Sequence, residues 1–125
     1  MNTSVMIVDD NDFIRESVEI LFNSVGINIV SANGGQECLK QLEEGFRGVI
    51  LMDIMMPEMD GWDTIRAIVE GGLYTGNIIV MLTAKGEPDN KMEGLQEYVT
   101  DYITKPFNPM ALIDSVKYLS ALRQG

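Results

Sequence analysis

"VMIVDDND", residues 5–12, is the stretch on which the fold turns. Four apolar residues run straight into Asp9, Asp10 and, after Asn11, Asp12. So short and continuous an apolar run is the pattern of a parallel strand covered on both faces. The carboxylates crowded at its end have two readings. They open the helix that follows, because acids are favoured at a helix N-terminus, or they hold something positive. Capping accounts for Asn11 and Asp12. It does not account for Asp9.

Working outward, similar runs recur along the chain. "SVMIV" (4–8), "INIVSA" (27–32), "GVILM" (48–52), "NIIVML" (77–82) and "DYIT" (101–104) read as five strands. Between them apolar residues return at helical spacing. Ile14, Val18, Leu21, Phe22 and Val25 form the first set, closed by Gly26. Cys38, Leu39 and Leu42 mark a second helix, closed by Gly45, and Ile65, Ile68 and Val69 a third, ending at Gly71-Gly72. A fourth, weaker one is expected to start near Pro88 and to include Met92 and Leu95. The fifth opens at Asn108-Pro109 and is expected to turn Met110, Ile113, Val116, Leu119 and Ser120 to one side.

Strand and helix alternating five times, joined by right-handed crossovers, give an α/β fold: an open, doubly wound parallel sheet with helices on both faces. A closed eight-stranded barrel needs about twice this length. The 125 residues are read as a single domain, 1–125. Nineteen acids against nine bases give a formal charge of −10, which disfavours direct contact with nucleic acid or an anionic membrane surface. No apolar run reaches transmembrane length and no signal peptide precedes the first strand, so a cytoplasmic protein is expected. Cys38 is the one cysteine and is read as a small core residue. The chain has no histidine, so that side chain serves neither as base, nor ligand, nor phosphoryl carrier.

In such a sheet ligands sit beyond the carboxyl ends of the strands. Asp9, Asp10 and Asp12 follow the first strand, Asp53 closes the third, Thr83 follows the fourth and Lys105 the fifth. Side chains alternate along a strand, so Asp10 must lie in the turn if it is to converge with Asp9. Three carboxylates brought together repel one another unless a cation joins them. An oxygen site of a few carboxylates plus waters suits Mg²⁺. Asp53 can then act as a nucleophile toward phosphorus, with Lys105 as a second positive partner. Asp60 reads as the cap of the third helix. Each residue also has a plain structural reading: a loop lysine for Lys105, a β-branched strand residue for Thr83, a half-buried aromatic for Tyr102.

The acidic pair "DD", "MDIMMPEMDG" (52–61), "LTAKG" (82–86) and "DYITKPF" (101–107), in this order, resemble the receiver domains of two-component response regulators, of which the chemotaxis regulators are an example. The resemblance spans essentially the whole chain. It implies a flavodoxin-like sheet of order 2-1-3-4-5 and a phosphorylation-activated signalling switch rather than an enzyme. Asp53 would be the phosphoacceptor. Mg²⁺ would be held by Asp10, Asp53 and the main-chain carbonyl of Met55, with Asp9 acting through water. Lys105 would pair with the phosphoryl group, Thr83 would move to it, and Tyr102 would turn inward as the aromatic switch. A cis bond is implied between Lys105 and Pro106. With no histidine in the chain, the donor would be a sensor histidine kinase or phosphotransfer protein. The fourth helix, fifth strand and fifth helix would carry the signal to a downstream protein or a fused output domain. Met55 and Lys85 sit where side chains could screen attacking water and so set the lifetime of the phosphorylated form. The sequence departs from many relatives at Tyr98 and Val99, where small residues are usual, which bears on the turn before the fifth strand.

Two other classes share features with this set. An aspartate-nucleophile phosphohydrolase uses the same residue types but carries a second Asp two positions after the nucleophile, where this chain has Met55. A receiver-shaped interaction module that is never phosphorylated would have no use for the full set of acids, Thr83 and Lys105. Flavin binding lacks its phosphate loop after the first strand.

Overall fold

The computed structural model describes residues 4–84 and 94–124. Five strands, β1 (Ser4–Val8), β2 (Asn28–Ala32), β3 (Val49–Asp53), β4 (Ile78–Ala84) and β5 (Val99–Lys105), form one parallel sheet in the order β2-β1-β3-β4-β5. The helices described are α1 (Asp12–Ser24), α2 (Gly35–Glu43), α3 (Gly61–Glu70) and α4 (Pro109–Gln124).

The apolar runs of β1, β3 and β4 do what the period of two requires, sending alternate side chains to opposite faces. Met6, Val8, Ile50, Met52, Ile79 and Met81 pack with Cys38 and Leu42 of α2 and with Trp62, Ile65 and Ile68 of α3. Val5, Ile7, Val49, Leu51, Val80 and Leu82 pack with Val18 and Phe22 of α1 and with Leu112, Ile113, Val116 and Leu119 of α4. Two cores therefore clamp the sheet, and β1 and β3 lie at its centre with their carboxyl ends side by side.

Local signals set the ends of the elements. The Asn11 side chain accepts from the Ile14 N–H at 3.1 Å and opens α1. Asp60 and Asp63 form a reciprocal capping box at the start of α3 (2.8 and 3.1 Å), and the Asn108 side chain accepts from the Ala111 N–H at 3.0 Å before α4. Gly26, at φ 76°, supplies the left-handed turn after α1 that side chains resist.

The structure departs from the sequence expectations in several places. β5 is longer than 101–104, running from Val99 to Lys105, and its register with β4 slips between Ile79 and Val80 so that Thr100 is bulged out. In the turn before it, Gln96–Tyr98 form a 3-10 turn, and Tyr98 packs edge-to-face on Tyr74, ring centroids 5.0 Å apart. Met110 is 62% exposed, and the buried face of α4 comprises Leu112, Ile113, Val116, Leu119 and Ser120. At about 100° per residue, those side chains lie within roughly 60° of Val116 whereas Met110 lies roughly 120° away. Val25 caps α1 and is largely exposed. The helix expected from Pro88 through Met92, with Lys85 before it, falls outside the described residues; Leu95 lies in the turn ahead of β5.

Candidate functional site

Asp9 follows the last residue of β1 and is 1% exposed, while Asp53 is the last residue of β3 and is 6% exposed. Both are carboxylates at the ends of buried strands, as their places after apolar runs dictate. Asp10 projects from the turn into solvent. One carboxylate oxygen from each of the three lies within 4.8 Å of the others. The cleft above them is lined by Asp9, Asp10, Asn11, Ile14, Asp53, Met55, Ala84 and Lys105.

Lys105 ends β5 and reaches across the strand ends. Its ammonium lies 3.1 Å from Asp9 Oδ2 and 3.1 Å from Asp53 Oδ1, bridging the two buried acids. The peptide bond to Pro106 is cis. Every polar group of Asp9 has a partner. Its N–H donates to the Ala32 carbonyl (3.1 Å), its Oδ1 accepts from the Asn11 N–H (2.9 Å), and its carbonyl accepts from Arg15 Nη1 (2.7 Å).

Burial and the adjacent Asp9 push the Asp53 carboxyl up to about 6, against the lowering effect of Lys105; Asp10 adds to the rise. Burial pulls the Lys105 ammonium down, but Asp53 and Asp9 outweigh it and hold it above its ordinary value. The cluster is therefore short of positive charge even with Lys105 in place. Three hard oxygen donors, one of them solvent-facing, fit a small divalent cation that keeps part of its water shell.

The loop after Asp53 is held close to α3. The Gly61 N–H donates to the Ile54 carbonyl at 2.8 Å. A Cβ at position 61 would stand 2.6 Å from the Asp53 carbonyl oxygen and 3.0 Å from Ile54 Cα, so only glycine fits. Between them, the Met59 N–H donates to the Pro57 carbonyl at 2.7 Å around Glu58 at φ 68°, a γ-turn of the strained hand.

Of the residues singled out in the sequence, Asp9, Asp10, Asp53, Met55 and Lys105 share the cleft. Thr83 does not line it; it sits on β4 between Leu82, the register partner of Asp53, and Ala84, which does. Tyr102 pairs in register with Met81 and is 38% exposed. Met55 is 67% exposed at the rim. Asp12 heads α1 and pairs with Arg15. Arg15 carries one signal in the sequence, its i, i+3 spacing from Asp12, which reads as an ordinary helix-surface pair.

A doubly wound sheet of this order, with an acidic cluster and a lysine meeting over its carboxyl edge, defines the receiver class of signalling domains. The sequence matches the response regulator receiver domain family over residues 5–117, and the chain belongs to that family. It is similar to the receiver domain protein (CheY-like) from Methanospirillum hungatei JF-1, with TM-score 0.93 and 52% identity over 98% of this chain and 97% of that one. It is also similar to the chemotaxis protein CheY4 of Vibrio cholerae, with TM-score 0.83 and 30% identity over 94% of this chain and 98% of that one. Among curated proteins, the transcriptional regulatory protein SrrA of Staphylococcus aureus is 38% identical over 119 residues, 95% of this chain and 48% of SrrA. The chain thus spans about half the length of the curated relatives it matches. Phosphorylation and Mg²⁺ dependence are general features of the family. Among the described residues no helix is long and apolar enough to cross a membrane.

Proposed function

We propose that residues 1–125 act as one receiver domain, a cytoplasmic switch in which Asp53 accepts a phosphoryl group from the phosphohistidine of a sensor kinase or phosphotransfer protein. The observation that carries this reading is the Asp9–Lys105–Asp53 bridge beside Asp10, which supplies nucleophile, counter-charge and cation ligands within one cleft. With its carboxyl titrating at about 6, Asp53 is mostly ionised at pH 7, as a nucleophile must be.

In the reaction, a carboxylate oxygen of Asp53 attacks phosphorus in line with the departing imidazole. The new O–P bond forms an acyl phosphate. The N–P bond breaks, and the donor nitrogen keeps its electron pair and takes up a proton. When bound, Mg²⁺ offsets the charge of the phosphoryl oxygens as a Lewis acid. Asp10, Asp53 and the Met55 carbonyl would hold it, with Asp9 contributing its charge from beside them.

Lys105 exchanges its contact with the Asp53 carboxylate for one with a phosphoryl oxygen. The Thr83 hydroxyl moves toward the phosphoryl group, and Tyr102 turns inward behind it. Adding nearly two negative charges shifts the population toward the arrangement that binds them better. The face formed by β5, α4 and the segment before β5 then presents a different surface to a downstream protein or fused output domain. Met55 at the rim screens the acyl phosphate from water, together with Lys85.

The test is intact mass after incubation with acetyl phosphate and Mg²⁺. The native chain gains one phosphate and Asp53→Asn gains none. A gain that survives the substitution moves the acceptor elsewhere.

A further inference from the structure

Asp9 and Asp10 are neighbours in the chain but are held very differently. Asp9 is fixed through four hydrogen-bonding groups, whereas the Asp10 carboxylate makes no hydrogen bond among the described residues and faces solvent. The direction in which Asp10 points is therefore set through its main chain, beginning with the peptide plane between residues 9 and 10. One side chain grips that plane. Arg15 Nη1 donates to the Asp9 carbonyl oxygen at 2.7 Å, while Nη2 of the same guanidinium is held by the Asp12 carboxylate. The Arg15 side chain is 17% exposed, and its N–H closes the first turn of α1 on the Asn11 carbonyl at 3.1 Å. A planar fork anchored at both prongs fixes orientation as a point charge cannot.

We propose that Arg15 is a positioning residue for the cation site, holding the 9–10 peptide so that the Asp10 carboxylate meets that of Asp53. This rests on the reading that the acidic cluster binds Mg²⁺. Arg15 touches neither the reacting atoms nor the cation and acts only through the turn. Two effects of the guanidinium oppose each other: its charge repels a cation, and its grip pre-organises a ligand. The charge is paired with Asp12, whose side chain is 81% exposed and screened by water, so the grip dominates. Losing a partner that orients a metal ligand typically weakens metal affinity by about 10- to 100-fold.

The experiment titrates Mg²⁺ alone, by calorimetry, into the wild type, Arg15→Met, Arg15→Lys, Asp10→Asn and the Arg15→Met/Asp10→Asn double variant, with folding checked by circular dichroism. Arg15→Met and Arg15→Lys are both expected to weaken Mg²⁺ binding about tenfold, because lysine keeps the charge but not the fork. In the Asp10→Asn background, Arg15→Met is expected to add little. Tighter binding in Arg15→Met with Arg15→Lys unchanged makes Arg15 a simple charge and overturns the proposal. Additive losses in the double variant overturn it too, by removing Asp10 from the path. Failure of the wild type to bind Mg²⁺ removes the cation site itself, an outcome distinct from a wild type that binds and an Arg15 that does not matter.

Discussion

Asp53 is asked to be buried, ionised and next to another acid, and the cost falls on stability. Burial, with Asp9 beside it, pushes its carboxyl from an ordinary 3.8 up to about 6 in the folded chain. Between those values the folded state holds a proton that the unfolded state gives up, so this residue's contribution to stability falls as pH rises from about 4 to 6. That is the reverse of the usual salt-bridged aspartate. The difference is worth at most about 3 kcal/mol. Without Mg²⁺, Asp53→Asn is accordingly expected to be more stable than the native chain at pH 7, with the gap closing toward pH 4; urea melts across that range measure it. An unchanging gap would mean that Asp53 is not strained. These acids and Lys105 were legible in the sequence because each stands at the end of a strand, and parallel topology brings strand ends together. Arg15 was not, because a helix arginine three residues from an aspartate reads as a surface pair. Its bond to a main-chain carbonyl appears only when the turn is folded.

At the scale of elements, helices carry signals of uneven strength. α1 and α3 were legible from caps and spacing together. α4 was legible in place and in most of its orientation, since Ile113, Val116, Leu119 and Ser120 face inward, but apolar residues surround it and Leu112 rather than Met110 completes the inner face. Val116→Ala is expected to cost about 2 kcal/mol through lost burial and a cavity, whereas Met110→Ala should be near neutral in denaturant unfolding. The contact between α3 and β3 is harder to read from sequence, since it depends on the absence of a side chain. Gly61→Ala would drive a methyl group into the Asp53 carbonyl. A loss of about 1–3 kcal/mol is expected from such overpacking, together with slower labelling of Asp53 by acetyl phosphate. A variant that is stable and labels at the native rate would show that the loop yields freely. The extension of β5 to Val99 was missed because a bulge at Thr100 breaks the alternation by which strands are recognised.

Across the whole molecule, two cores on opposite faces of one sheet share β1 and β3, the strands that lead into the acidic pair and into Asp53, the proposed acceptor. The doubly wound architecture was legible because the five runs and their helical spacers leave few ways to wind a chain of this length, whereas the strand order came from the family likeness. Thr83 was legible as a strand-end residue and Tyr102 only by family likeness, and neither lines the cleft here. The sealed core between the sheet and helices α2 and α3 has a practical corollary. Cys38 is wholly enclosed in it, and burial pushes its thiol up to about 12. Thiolate, the species that reacts with disulfide reagents, is then formed only when the protein opens. The single thiol becomes a clock for opening, read by the rate of reaction with such a reagent. Saturating Mg²⁺ should slow that clock by the factor it adds to the folding equilibrium, and much less so in Asp53→Asn.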